Sequence, residues 1–172
     1  MSATRPHVRI PVGVVVERCK ATSPWLDSVW RSVAVLCDLP NAAPWTAVGA
    51  AEDAATFYLG TAAIELYRSE TDHYRANLAS GAPSVWVALR PTGVLPAYEL
   101  FAVTADPSEG ESFTQSGHDL VDAVPMPAPV RQIVEAFVAE RHVEQPIYRR
   151  RRDRAGLQAP ARRGPMGKDP GE

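Results

Sequence analysis

The chain has 172 residues, of which 45% are hydrophobic, and a formal net charge of −2. Such a chain favours one domain of ordinary size with a genuine core. Sixteen prolines, gathered in connections and near the C-terminus, mark loops rather than a fibrous class. No apolar run approaches the roughly 18–20 residues of a membrane helix, and MSATRPHVR carries no apolar signal segment. The expectation is a cytoplasmic protein with no membrane partner.

The net charge hides an asymmetry. Residues 149–172 carry eight basic and three acidic groups (+5), leaving ten against seventeen (−7) for the remainder. An acidic body argues against a nucleic-acid-binding face on it. Only the run Arg149 to Arg152 offers an electrostatic tether to nucleic acid or to an acidic protein. Cys19 and Cys37 are the only cysteines and form no CxxC pair, so reduced thiols are expected and no metal site.

In chain order, residues 1–7 read as a flexible arm. Val8 to Arg18 is a strand with Ile10, Val12, Val14 and Val16 on one face. Pro11 has no amide hydrogen, so the strand is an edge or has its free side at Pro11, and Gly13 suits a bulge or the close approach of another side chain. A loop carrying Trp25 leads to a second strand, Val29 to Leu36, and Trp45 to Val48 suggests a short extra one.

From Tyr58 to Arg90 three runs alternate with period two between turn residues, the pattern of an antiparallel meander. Ile64 and Leu66 oppose Glu65 and Tyr67. Tyr74, Ala76 and Leu78 oppose His73, Arg75 and Asn77. Val85, Val87 and Leu89 oppose Trp86, Ala88 and Arg90. Tyr98 to Thr104 reads as a further strand, Asp106 to Gly117 as a polar loop, and His118 to Val124 as either a short strand or one helical turn. Pro127 to Glu144 is a helix: Val130, Ile133, Val134, Phe137, Val138 and Arg141 share one face, Pro129 suits its first turn and Pro146 stops it.

The expected architecture is therefore α+β and mainly β: an antiparallel meander sheet or partly closed barrel with one C-terminal helix packed on it. One globular β-rich domain spans residues 8–148, followed by a disordered basic tail over 149–172.

Catalytic signatures are missing. His7, His73, His118 and His142 form no HxxxH or HExxH spacing, and no phosphate-binding Gly-rich loop or GxSxG elbow occurs. Glu65, Glu70 and Asp72 read as solvated carboxylates near a turn. No catalytic and no metal-binding residue is assigned. The four tryptophans read as core, or alternatively as the lining of a partner groove, since Trp and Arg are enriched at interaction hot spots. Arg75 and Asn77, paired across the SGAPS turn with Trp86 and Arg90, form the first candidate surface. The segment holding Glu17, Arg18, Trp25 and Trp30 is the second.

Several stretches together carry a resemblance: IPVGVVVER followed by Ser23, Trp25 and Trp30; PWTAVG; ELYRSETDHYRANLASGAPSVWVALRP; and VPMP before the last helix. Over Val8 to Glu144 the chain resembles a bacterial family of short, uncharacterised proteins whose genes neighbour those of molybdenum-dependent formate dehydrogenases. Members are sometimes labelled molybdopterin-guanine dinucleotide biosynthesis protein A. The Gly-rich N-terminal loop of that transferase has no counterpart in VGVVVERCKATSPW, and a β-rich pattern disagrees with its Rossmann-like sheet.

The resemblance implies a non-enzymatic accessory or assembly protein whose partner is a formate dehydrogenase subunit or a maturation factor. Two alternatives stay open. One is a cofactor-synthesis protein that binds a molybdopterin-type ligand or nucleotide, with no tightly bound cofactor otherwise. The other is a regulatory binding domain unrelated to molybdenum.

Overall fold

A computed structural model describes residues 5–115 and 119–141. The basic tail, His118, His142 and the expected helix end at Glu144 lie outside the described residues. The fold grows from β1 (Val8–Lys20), whose residues Ile10, Val12, Val14 and Val16 are buried in the core. It pairs antiparallel with β2 (Ser28–Leu36) on one side and β4 (Ala54–Leu66) on the other, and β3 (Thr46–Ala50) adds to the outer edge of β4. The sheet order is β2-β1-β4-β3.

Of the two readings of Pro11, the free side is the one the structure has, since β1 is not an edge strand. Pro11 sits opposite Ala63 of β4, while the β2 ladder begins only at Gly13 and Leu36, so a missing amide hydrogen costs no rung on the β2 side. Gly13 lies under the Tyr58 ring, whose Cε2 would stand 2.9 Å from any added Cβ.

A second, three-stranded sheet has the order β6-β5-β7, with β5 (Ser84–Pro91), β6 (Tyr98–Thr104) and β7 (Leu120–Pro125). Val85, Val87, Leu89 and Val103 join the valines of β1 in one core. The expected partly closed barrel is not formed. β2 and β7 come close and so do β4 and β6, yet among the described residues neither pair forms a ladder. At the β2–β7 margin a side chain does the bridging: the Asp122 Oδ2 accepts from the Ser32 amide at 2.7 Å, beside the bulge in the β1–β2 register. Two open sheets face each other instead.

The expectation of one C-terminal helix is also corrected. The described residues contain three α-helices, α1 (Thr71–Leu78), α2 (Pro107–Thr114) and α3 (Ala128–Arg141). The run Tyr74 to Leu78, read as a strand, is most of α1. Its alternation was fortuitous; the buried positions are Thr71, Tyr74 and Asn77, spaced one helical turn apart. The loop expected at 106–117 is largely α2. Asp106 caps it by accepting from the amides of Ser108 at 2.8 Å and Glu109 at 3.4 Å, and Pro107 fills the first turn. The ambiguous segment at 118–124 resolves as strand β7 from Leu120 onward. In α3, Val130, Val134, Phe137 and Val138 are buried as expected, but Ile133 is 40% exposed.

Asn77 locks α1 to the second sheet. Its Nδ2 donates to the carbonyls of Ser84 (2.8 Å) and Ala105 (2.9 Å), and its Oδ1 accepts from the Ser84 amide (3.0 Å). Replacing Asn77 by Ala orphans these backbone groups and is expected to cost about 2 kcal/mol or more, read as a lower urea midpoint with unchanged slope. On the outer face of β5, Gly110 of α2 rests on Trp86. A Cβ there would stand within 2.6 Å of the indole Cδ1, so Gly110→Ala should cost about 1–3 kcal/mol by forcing α2 outward. An unchanged midpoint would mean that α2 is not seated on Trp86.

Candidate functional site

The first expected surface does not assemble. Arg75 and Asn77 lie on a helix and cannot pair with β5, and Asn77 is buried as a structural amide. Trp86 and Arg90 do share a face of β5, as their spacing predicts, but α2 lies on it. Trp86 is half-buried beneath Gly110. Arg90 stacks over Phe101 with 3.7 Å from Cζ to the ring centroid, and its Nε reaches Asp119 Oδ1 at 3.5 Å. Phe101 in turn meets Phe113 of α2 edge-on at 5.6 Å.

Of the second expected segment, Arg18 and Trp30 come together with residues from other elements, whereas Glu17 faces the opposite side of β1 with Arg31, and Trp25 stands out on the loop at 89% exposure. The β1–β4 and β1–β2 registers set Arg18 opposite both Ala55 and Trp30. The Arg18 guanidinium stands 5.8 Å from the Trp30 ring and 5.9 Å from the Phe57 ring. Trp30 meets Trp45 edge-on at 5.5 Å, Phe57 at 5.7 Å and Tyr98 of β6 at 6.2 Å. All four rings are half-buried and pack against the core from its margin. Trp45 holds a positive φ of 69°, a conformation that costs a bulky L-residue on the order of 1–2 kcal/mol. That strain places its indole in the cluster while its amide donates to the Tyr58 carbonyl at 2.6 Å.

Hairpin topology surrounds this aromatic floor with loops. The β1–β2 loop and the β3–β4 turn are joined where the Lys20 amide donates to the Asp53 carbonyl at 2.9 Å. The β5–β6 loop ends at Tyr98, which touches Trp30. These loops carry the most exposed large apolar side chains among the described residues, Trp25 at 89% and Leu95 at 92%, with Leu26 and Val94 beside them in sequence. A shallow depression of about 440 Å³ opens nearby, lined by Arg18, Lys20, Asp27, Glu52 and Asp53 among others.

Glu17 lies on the opposite face of β1, across from Arg31. Its Oε2 accepts from Arg31 Nε at 2.8 Å and from the Cys19 thiol at 3.2 Å. The thiol's hydrogen bond and the Arg31 pair hold the Glu17 carboxyl below its ordinary range, and the same carboxylate pushes the Cys19 thiol up.

A separate cluster lies where β4 and β6 end. His73 Nδ1 stands 2.9 Å from Asp106 Oδ2 and 3.1 Å from Glu70 Oε2. The bond to Asp106 raises the imidazole pKa. Next to it, Tyr67 donates to Glu65 Oε2 at 2.6 Å, which pushes the phenol up to about 12. Sequence reading missed this cluster because Asp106 is 33 residues from His73. Two signals were nevertheless present: the one-turn spacing of Glu70 and His73, and Asp-Pro-x-Glu at 106–109, a helix start.

The arrangement defines a two-sheet, hairpin-built α+β domain with an arginine-capped aromatic cluster at its loop end. Over residues 11–152 the chain matches, and so belongs to, the family described as Protein of unknown function (DUF3305). No curated protein and no solved structure matches it. Among the described residues, no helix is long and apolar enough to cross a membrane.

The Glu17–Cys19 contact gives a pH-dependent readout. The thiolate is the reactive species, and a negative Glu17 disfavours it. In a Cys37→Ser background, Glu17→Gln should shift the pH–rate profile for alkylation of Cys19 to lower pH and speed the reaction several-fold at pH 8. Coincident profiles would show that the thiol does not feel this carboxylate.

Proposed function

We propose that this protein is a non-enzymatic accessory domain that docks a protein partner through its aromatic loop end. The single observation that carries the reading is the Arg18 guanidinium over half-buried Trp30 and Phe57, with Trp45 and Tyr98 completing the floor. In the free protein an exposed cation–π contact contributes only about 0.5–1 kcal/mol; covered by a partner and stripped of water it is worth about 2 kcal/mol or more. Trp25 and Leu95 at the rim contribute little to their own fold, being almost fully exposed. A partner that covers them would bury two large apolar side chains beside the aromatic floor. Following the family resemblance, the partner is a subunit of a molybdenum-dependent formate dehydrogenase or a factor of its maturation.

A second reading, a pterin- or nucleotide-binding protein of molybdenum cofactor synthesis, draws on the depression beside Arg18 and Lys20. Asp27, Glu52 and Asp53 on the same rim oppose an anionic ligand and favour the docking reading.

Trp25→Ala combined with Leu95→Ala should leave the melting temperature within a degree or two, because neither side chain is packed. Affinity capture from the native host grown on formate should enrich a formate dehydrogenase subunit with the wild type and lose it with the double variant. Failure of the wild type to enrich such a subunit overturns the assignment of partner. Equal enrichment by a folded double variant overturns the assignment of surface. A melting temperature raised by GTP or by extracted molybdopterin cofactor would instead favour the second reading.

A further inference from the structure

We propose that Glu70, His73 and Asp106 form a binding site for a first-row divalent cation of the Mn²⁺ to Zn²⁺ series. The site lies at the α1–α2 junction, away from the docking end.

Two carboxylates crowd one ring nitrogen. His73 Nδ1 carries at most one hydrogen, yet two carboxylate oxygens approach it, Asp106 Oδ2 at 2.9 Å and Glu70 Oε2 at 3.1 Å. A single N–H shared between two acceptors forms a three-centre bond that is weaker to each than a linear one. The three ligand atoms lie within 4.8 Å of one another. In octahedral geometry a cation about 2.1 Å from each donor sets neighbouring ligands about 3.0 Å apart, which is the spacing seen on both sides of the imidazole. It would also neutralise two carboxylates that otherwise repel.

The supporting groups fit the role. Asp106 has a side chain only 7% exposed, and its Oδ1 is committed to the cap of α2, which leaves Oδ2 aimed at His73. Glu70 stands at the N-cap position of α1 without capping it through its side chain. His73 remains 44% exposed at its side chain. It opens into a depression of about 440 Å³ that is also lined by Ser69, Ser108, Ser112 and Tyr67. Oxygen ligands, water included, can therefore complete the shell. One imidazole and two carboxylates suit Mn²⁺, Fe²⁺, Co²⁺ or Zn²⁺ better than the soft cations that thiolates select.

The test uses the full chain freed of metal by chelator and titrated with Co²⁺, Zn²⁺ and Mn²⁺. Wild-type protein should gain visible Co²⁺ absorption bands, and its melting temperature should rise with metal concentration. His73→Ala should lose the bands. Glu70→Gln should weaken binding by about tenfold or more, since even outer-sphere partners of a metal ligand carry that much. Asp106→Asn should do the same while preserving the fold, because Asn caps a helix as well as Asp. The proposal is overturned if the wild type responds to none of the three ions. It is equally overturned if His73→Ala binds with wild-type affinity, which would place the metal elsewhere and leave an imidazolium shared between two carboxylates here.

Discussion

Everything in this domain hangs on β1 as a doubly paired strand. Its thirteen residues carry ladders to β2 and β4, while Ile10, Val12, Val14 and Val16 supply the wall on which the second sheet and the helices close. Burying four such side chains contributes on the order of 1.5–3 kcal/mol each before chain entropy is counted. The two bulges, at Val15/Val16 against β2 and at Val14/Val15 against β4, fall in the middle of this strand. Bulges bend and twist a sheet, and here the β2 bulge lies next to the Ser32 amide that Asp122 of the second sheet captures.

That geometry gives the molecule two chemically different ends. The hairpin loops gather where β1 ends and β4 begins, and they surround aromatic rings and Arg18. β4 runs from there toward α1, and β6 runs from Tyr98 at the same end toward Asp106. Thirteen residues of strand in β4, on the order of 40 Å when extended, separate an apolar, cation-capped surface from a cluster of carboxylates around an imidazole. The first is aromatic and apolar, and the second is ionic. Neither requires the other, so variants at one end can be read without disturbing the other.

The helical cover of the second sheet depends on small, specific fits more than on apolar area. α1 is eight residues long, too short to be stable alone. It is held by Asn77, whose amide links the start of β5 to the residue after β6, and by Tyr74, whose hydroxyl accepts from the Tyr67 amide at 3.1 Å. α2 is equally short and is held by the Asp106 cap and by Gly110 against Trp86.

Such fits explain what was legible and what was not. The sequence by itself determined β1 and β5, because Ile10, Val12, Val14 and Val16, and Val85, Val87 and Leu89, have one face to bury and period two leaves no choice; the full length of β4 appeared only in its pairing with β1. The sequence also determined α3, long enough for the 3.6 period to repeat. It did not determine α1 or α2: six or eight residues fit both periods, and the helical state is chosen only by contacts to Ser84, Ala105 and Trp86, distant in the chain. Only the tertiary structure brought Trp45, Phe57 and Tyr98 to Trp30, and Asp106 to His73. It also kept the two sheets open, because a single aspartate side chain bridges β7 to β2 where a barrel would need a ladder of backbone bonds.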